Sequence, residues 1–207
     1  MSGGIDTQNG SSVLAMAGDH CVAIAADRRL SAQMQTVSTN FQKIFQINDY
    51  VHIGMGGLAT DIDTVHEKLR YDVNLLELRE ERQLEPLRFM NLVRSLLYEH
   101  RFGPYFVSPV IAGLDPTTNE PFLATSDSIG AFTQPKDFAV AGTSEESLFG
   151  ICESMWRPGL NPDELFEVIS QCLIAAVERD GLSGWGGIVH IITPECIITK
   201  EIKTRMD

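Results

Sequence analysis

Residues 54–59, Gly-Met-Gly-Gly-Leu-Ala, have the residue types and spacing of a dinucleotide-binding loop. They fit the pattern G-x-G-x-x-[G/A], follow a predicted strand and open a predicted helix, as loops that bind a pyrophosphate do. The context fails further along, because this helix runs into a second helix and no acidic residue ends a second strand about 20 residues later. We therefore interpret the segment as a glycine-rich tight turn that lets two backbones approach closely. A nucleotide-binding protein is kept as an alternative.

Two other chemical patterns are incomplete. Residues 181–184 resemble a nucleophile elbow, but Trp185 stands where G-x-S-x-G requires its last glycine. The segment also follows a predicted helix instead of a strand, the reverse of that motif's geometry. The five histidines are not spaced as HxxxH or HExxH, so each is interpreted as a surface or packed side chain. We expect neither a metal ion nor a cofactor.

The charge balance and the cysteines narrow the class of protein. The 207 residues carry 16 basic and 28 acidic side chains, a formal net charge of −12. A nucleic-acid partner is not expected, because phosphate neutralisation relies on clustered Lys and Arg. A membrane partner is not expected either, since every apolar run is too short to cross a bilayer. Cys21, Cys152, Cys172 and Cys196 are widely spaced without a CxxC pair, which predicts buried, reduced thiols in an intracellular protein.

Predicted elements come in blocks: strands, two helices, strands, two helices, strands. Helices are predicted after Thr60, from Pro86, from a capping box at Thr143 and from Asn161. Such blocks indicate an α+β fold in which two antiparallel sheets lie between helix pairs, a four-layer α/β/β/α sandwich. We expect one domain over residues 1–207, with residues 1–10 as a short N-terminal extension. The predicted strands are residues 11–17, 20–28, 33–37, 43–47, 50–54, 105–113, 121–126, 187–193 and 196–202.

Longer motifs give the chain a resemblance to a known family. These motifs are residues 22–29, 40–44, 54–61, 101–105, 152–156, 182–186 and 205–207. In them the chain resembles the beta-subunit family of the 20S proteasome, in the N-terminal nucleophile hydrolase superfamily, and within it a non-catalytic group. The resemblance spans almost the whole chain and implies the fold of that superfamily, the same four-layer sandwich.

The resemblance also implies a set of degenerate site positions. In active family members an N-terminal threonine, freed by self-cleavage after a glycine, attacks the peptide carbonyl. By motif, Ser11 matches this nucleophile and follows Gly10. The supporting positions are matched by Asp27, Lys43, Gly57 as the oxyanion donor, Thr143 where a serine is usual, Asp180 and Ser183.

The residue at the nucleophile position favours a chain that is not itself an enzyme. Serine stands where active members have threonine, and the ten residues before it are fewer than in most activating propeptides of the family. We therefore expect a non-catalytic subunit of a threonine-type endopeptidase complex. An active peptidase that uses Ser11 after cleavage at Gly10 stays open as the alternative.

Partners and location follow from the same resemblance. It implies a structural place in the beta ring of the 20S core particle, the complex that degrades intracellular, ubiquitinated proteins. Expected partners are other beta subunits of the same and the opposite ring and subunits of the alpha ring, in the cytoplasm and nucleus. Ring neighbours that differ from one another require contacts that discriminate between similar surfaces. A self-assembling homo-oligomer without such partners is a further alternative.

Overall fold

Four α-helices are present in the computed structural model, which describes residues 4–206. They are α1 (Ala59–Glu80), α2 (Pro86–Glu99), α3 (Glu145–Met155) and α4 (Pro162–Val177). Helix α4 begins where predicted, because the side chains of Asn161 and Glu164 form a reciprocal capping box. Helix α2 begins at Pro86, whose fixed φ suits the first turn. A short 3-10 helix, Ile5–Thr7, precedes all of them.

Eleven strands form antiparallel sheets within the same described range. They are β1 (Ser12–Ala17), β2 (Val22–Asp27), β3 (Leu30–Ala32), β4 (Gln35–Ser38), β5 (Ile44–Gln46), β6 (Val51–Gly57), β7 (Val107–Leu114), β8 (Pro121–Thr125), β9 (Phe138–Gly142), β10 (Gly187–Ile192) and β11 (Ile197–Ile202). One sheet has the order β11-β10-β2-β1-β9, a second has the order β5-β6-β7-β8, and β3 with β4 forms a separate hairpin.

Three apolar clusters show that the layers are stacked helices, sheet, sheet, helices. One cluster lies between the α1–α2 pair and the four-stranded sheet, one between the two sheets, and one between the five-stranded sheet and the α3–α4 pair. Strands β1 and β2 are buried on both faces, because each face meets a different cluster. The predicted four-layer sandwich is confirmed. Representative members are Ile53 and Phe89 in the first cluster, Ile24 and Val110 in the second, and Leu14 and Leu173 in the third.

Several local predictions are wrong. Residues 54–57 are not a turn but the end of β6, and their glycines are needed because the sheets approach closely there. An added Cβ on Gly54 would lie 2.5 Å from Val13 Cγ1. Strand β9 was not predicted, and the single strand expected at 33–37 is a hairpin of β3 and β4. Cys196 is exposed, whereas Cys21, Cys152 and Cys172 are buried as predicted.

Two predicted helix caps are also wrong. Helix α1 begins at Ala59, so Thr60 lies inside it, and Leu58 at the cap position supplies no side-chain hydrogen bond. Instead, Asn9 Oδ1 accepts a hydrogen bond from the Ala59 N–H at 2.9 Å. Helix α3 begins at Glu145, without a side-chain cap. Thr143 does not form the predicted capping box, because its hydroxyl is bonded elsewhere.

None of the helices in residues 4–206 combines the length and hydropathy needed to cross a membrane.

Candidate functional site

Strand order brings the predicted site positions to one end of the sandwich. Ser11 immediately precedes β1, and its two neighbouring strands carry the other positions. Asp27 ends β2 on one side, and Thr143 follows β9 on the other. Asp180 and Ser183 lie in the loop between α4 and β10. Positions far apart in sequence are therefore neighbours in space.

Asp27 and Lys43 form a fully buried ion pair. Lys43 Nζ donates to Asp27 Oδ1 at 2.6 Å, and the two side chains are 1% and 0% exposed. Burial lowers the pKa of Lys43 below its ordinary value, and the adjacent Asp27 carboxylate opposes that shift. The second contact of Lys43 Nζ is the carbonyl oxygen of Gly10, at 3.1 Å. The lysine is thus directed at the peptide that precedes Ser11.

The Asp27 carboxylate is also bonded to the backbone. Oδ1 accepts from the N–H of Ser12 at 2.9 Å. Oδ2 accepts from the N–H of Gly184 at 3.0 Å and from that of Arg29 at 3.3 Å. The carboxylate therefore ties the start of β1 and the loop before β10 to the end of β2.

Asp180 organises a second group, which consists of hydroxyls. Its Oδ2 accepts from Thr143 Oγ1 and from Ser183 Oγ, each at 2.6 Å. Thr143 Oγ1 in turn accepts from the N–H of Ser11 at 3.2 Å. Ser12 Oγ donates to Ser183 Oγ at 2.8 Å and makes a short hydrogen bond with Ser144 Oγ. The hydroxyls form a continuous chain that ends on one carboxylate.

Ser11, the residue at the nucleophile position, is enclosed. It is 1% exposed, and its hydroxyl lies against two glycines. A Cβ added to Gly56 would lie 2.6 Å from Ser11 Oγ, and one added to Gly142 would lie 2.7 Å from it. Among the hydrogen bonds within residues 4–206, the two made by Lys43 Nζ go to Asp27 and Gly10 and not to the Ser11 hydroxyl.

Gly57, the predicted oxyanion donor, follows Gly56 at the end of β6. Its φ is +122°, and a Cβ there would lie 2.1 Å from the carbonyl oxygen of Phe106. Only glycine is compatible with this φ and this close approach. Backbone geometry therefore requires glycine at position 57. The position lies next to Gly56, which contacts the predicted nucleophile Ser11.

Sequence reasoning missed three participants in this site. Ser12 and Ser144 complete the hydroxyl chain, and Arg29 donates from its backbone to Asp27 and from its side chain to the carbonyl oxygen of Met34 at 3.0 Å. Ser12 and Ser144 are 132 residues apart, so no local pattern connects them. The one signal available in the sequence was that Ser12 and Ser144 each directly follow a residue already predicted for the site.

Within residues 4–206, His, Cys, Asp and Glu side chains do not come together in groups of three that could hold a metal ion. Residues 54–57, the start of the glycine-rich motif, are strand residues packed against Val13 and Ser11. A phosphate-binding loop needs exposed backbone N–H groups at a turn. Residues 54–57 are part of a strand, which argues against the nucleotide-binding alternative.

Comparison with known proteins agrees with this geometry. A family model described as "Proteasome subunit" matches residues 7–192. Proteins named "Proteasome subunit beta type-3" from Picea mariana, Oryza sativa subsp. japonica and Drosophila melanogaster are 53%, 55% and 52% identical to this chain. Each alignment spans 199 residues, which is 96% of this chain and 97% of the relative. The chain therefore belongs to the proteasome subunit family, in which it is a beta subunit.

Proposed function

We propose that this beta subunit is a non-catalytic component of the beta ring, which holds neighbouring catalytic subunits in register. The observation that carries the proposal is the enclosure of Ser11. Attack on a peptide requires that the substrate carbonyl reach the hydroxyl and that a base accept the hydroxyl proton. Ser11 is 1% exposed, and the Lys43 ammonium is bonded to Asp27 and to the carbonyl of Gly10.

The retained charges have a structural role that does not need catalysis. Asp27 accepts four hydrogen bonds and joins three separate segments of the chain. Removal of one partner from such a buried pair leaves an uncompensated charge, which is strongly destabilising. Asp27 and Lys43 are therefore retained because the fold depends on them.

Exposed apolar side chains support the assembly role. Leu78 on α1 is 80% exposed, Phe102 after α2 is 91% exposed, and Met34 between β3 and β4 is 76% exposed. Contiguous exposed apolar patches mark surfaces that partners cover, and we propose that each of these side chains belongs to such a contact surface. We assign these surfaces to other beta subunits and to alpha-ring subunits of the complex. The location that accompanies this assignment is the cytoplasm and nucleus.

One contact favours the alternative, a peptidase that uses Ser11. Lys43 Nζ lies 3.1 Å from the carbonyl oxygen of Gly10, and a cation on that oxygen would polarise the peptide bond that self-cleavage must break. In the non-catalytic subunit the same contact fixes the residues before Ser11 in place.

Substitution of Ser11 in assembled particles separates the two functions. We expect Ser11→Ala to leave every peptidase activity of the particle unchanged, measured with several fluorogenic peptides and normalised to particle yield. Intact-mass analysis of the native chain should show residues before Ser11 still attached. Normal yield with one activity abolished, or a native chain that begins at Ser11, would contradict the proposal.

A further inference from the structure

Three sulfur atoms come together between helices α3 and α4. Cys152 and Met155 are three residues apart on α3, so their side chains project from the same face of the helix. Cys172 lies on α4, and its thiol donates a hydrogen bond to Met155 Sδ at 3.8 Å. The thiol of Cys152 hydrogen-bonds with that of Cys172. The three residues therefore form a continuous chain of sulfur atoms across the helix pair.

The two ends of this sulfur chain differ in their access to solvent. Met155, the last residue of α3, is 38% exposed, whereas Cys152 and Cys172 are each 0% exposed. The thiols belong to the apolar cluster between the helix pair and the five-stranded sheet. A dissolved oxidant therefore reaches the thioether of Met155 first, and thioethers are themselves oxidised, to methionine sulfoxide.

The two thiols differ in how readily they ionise. The hydrogen bond from Cys152 lowers the pKa of Cys172 below its ordinary value, and burial opposes this shift. The same hydrogen bond, together with burial, raises the pKa of Cys152. Because the thiolate is the nucleophilic form of cysteine, Cys172 is the thiol suited to attack Met155 once it is oxidised. Cys152 is then the neighbour that completes a disulfide.

We propose that Cys152 and Cys172 are a disulfide-forming modification site, which peroxide oxidises through Met155. Hydrogen peroxide first transfers one oxygen atom to Met155 Sδ, which gives the sulfoxide and releases water. Cys172 attacks the sulfoxide sulfur, the oxygen and the thiol proton end on Cys172 as a sulfenic acid, and the thioether of Met155 is restored. Cys152 then attacks the sulfenic acid, so that an S–S bond forms, the S–O bond breaks, and the hydroxyl leaves as water with the Cys152 proton. In the net reaction one peroxide is reduced to two waters, and two thiols are oxidised to one disulfide.

The disulfide would join the two helices that cover the five-stranded sheet. The closed loop, residues 152–172, includes the connection between α3 and α4. A cross-link of this kind restricts the unfolded chain and so stabilises the folded one. The oxidised subunit is therefore expected to unfold less readily than the reduced subunit. This inference goes beyond the proposed function and does not depend on it.

Treatment of assembled particles with hydrogen peroxide tests the site. Free thiols are alkylated at set times, and peptide mass spectrometry without reduction quantifies the Met155 sulfoxide and the disulfide between Cys152 and Cys172. We expect the disulfide to accumulate in the wild type. Met155→Leu should slow its formation at least about fivefold, because leucine removes the sulfur that receives the oxygen. Met206→Leu is the matched control, since it changes a methionine that is 50% exposed outside the helix pair, and its disulfide should form at the wild-type rate.

Two cysteine variants trap the successive intermediates. In Cys172→Ser the Met155 sulfoxide should persist, because the thiol that reduces it is missing. In Cys152→Ser the reaction should stop at a sulfenic acid on Cys172, which dimedone labels. Absence of the disulfide from the peroxide-treated wild type, or its formation at the wild-type rate in Met155→Leu, would overturn the inference. None of these measurements involves Ser11, so their failure is distinct from a failure of the proposed function.

Discussion

Two groups of polar side chains, one around Asp27 and the other around His52, differ in how completely they are hydrogen-bonded. Around Asp27, a lysine and three backbone N–H groups bind the two carboxylate oxygens. The second group is His52 on β6 and His190 on β10, whose ring centroids are 5.4 Å apart. Within the described residues, His52 Nδ1 is buried without a hydrogen-bond partner.

This difference in hydrogen bonding determines where a buried charge is compensated. Buried charges persist only where partners replace the lost water, as they do at Asp27. At His52 burial lowers the pKa to about 4, and repulsion from His190 adds to this shift. The Asp27–Lys43 pair is surrounded by hydrogen-bond partners, whereas burial favours the neutral form of His52.

The largest expected effect comes from removing one partner of the ion pair. We expect Lys43→Ala to lower the free energy of unfolding by about 3–5 kcal/mol, because Asp27 is left as a buried charge without its cation. Particle yield and hydrogen exchange of β1 and β2 amides measure the loss. A loss below about 1 kcal/mol would remove the contrast between the two groups.

Two double variants separate the contribution of the ion pair from that of the backbone N–H groups that bind Asp27. Lys43→Met with Asp27→Asn should recover part of the lost stability, since an amide oxygen still accepts backbone hydrogen bonds. Lys43→Met with Asp27→Leu should recover less, because the N–H groups of Ser12, Arg29 and Gly184 lose their acceptor. Each buried group left unpaired costs about 1–3 kcal/mol. Equal recovery by the two double variants would show that the backbone donors contribute little.

A pH titration tests the histidine pair. The folded-state pKa of His52 lies below the unfolded value of 6.5, at about 4, so the folded state resists protonation. Stability is complete above pH 6.5, falls as the pH drops toward 4, and loses on the order of 3 kcal/mol in all, at about 1.4 kcal/mol per pKa unit. Hydrogen exchange of β6 amides in assembled particles measures this loss.

Two variants identify the group responsible for the acid effect. His52→Leu should remove this part of the pH dependence. His20→Ala is the control, because His20 is an exposed histidine, and it should leave the curve unchanged. Persistence of the full acid effect in His52→Leu would assign it to other groups.

The smallest expected effects concern Thr143, at the edge of the hydroxyl chain. Thr143→Val removes the donor to Asp180 and the acceptor for the Ser11 N–H, at a cost of about 1–3 kcal/mol. Thr143→Ser keeps the hydroxyl and should cost less than about 1 kcal/mol, which tests whether the methyl group contributes. Comparable losses in the two variants, read by hydrogen exchange of β1 amides, would show that packing matters more than hydrogen bonding here.

Local signals in the sequence predicted the fold well where short-range chemistry determines it. The capping box at Asn161 begins α4 as expected, because both partners lie within one helical turn. The start of α1 could not be predicted this way, since its cap comes from Asn9, fifty residues earlier. Residues 54–57 were misjudged for a related reason. Their glycines reflect contact with Ser11 and Val13 on another sheet, which is invisible to local pattern.

The same distinction between short-range and long-range contacts explains which site residues could be predicted. Asp27, Lys43, Asp180 and Ser183 were found through family motifs, and the structure joins them through hydrogen bonds. Ser12 is also part of the hydroxyl chain, yet it was not predicted, because its bond to Ser183 spans 171 residues. Strand β9 was missed because residues 138–142 are a short run of small and apolar residues that only its pairing with β1 defines.

The order of strands in the five-stranded sheet has a consequence for synthesis on the ribosome. Strand β1 pairs with β2 nearby in sequence, but its other edge waits for β9, which begins at Phe138. At about 5–20 residues per second, roughly 6–25 s separate the emergence of the two strands. During that interval a hairpin that is apolar on both faces has neither its second sheet partner nor the α3–α4 layer. The nascent chain thus exposes this apolar hairpin first and completes its cover late, and we expect chaperones to contact residues 12–27 early in synthesis.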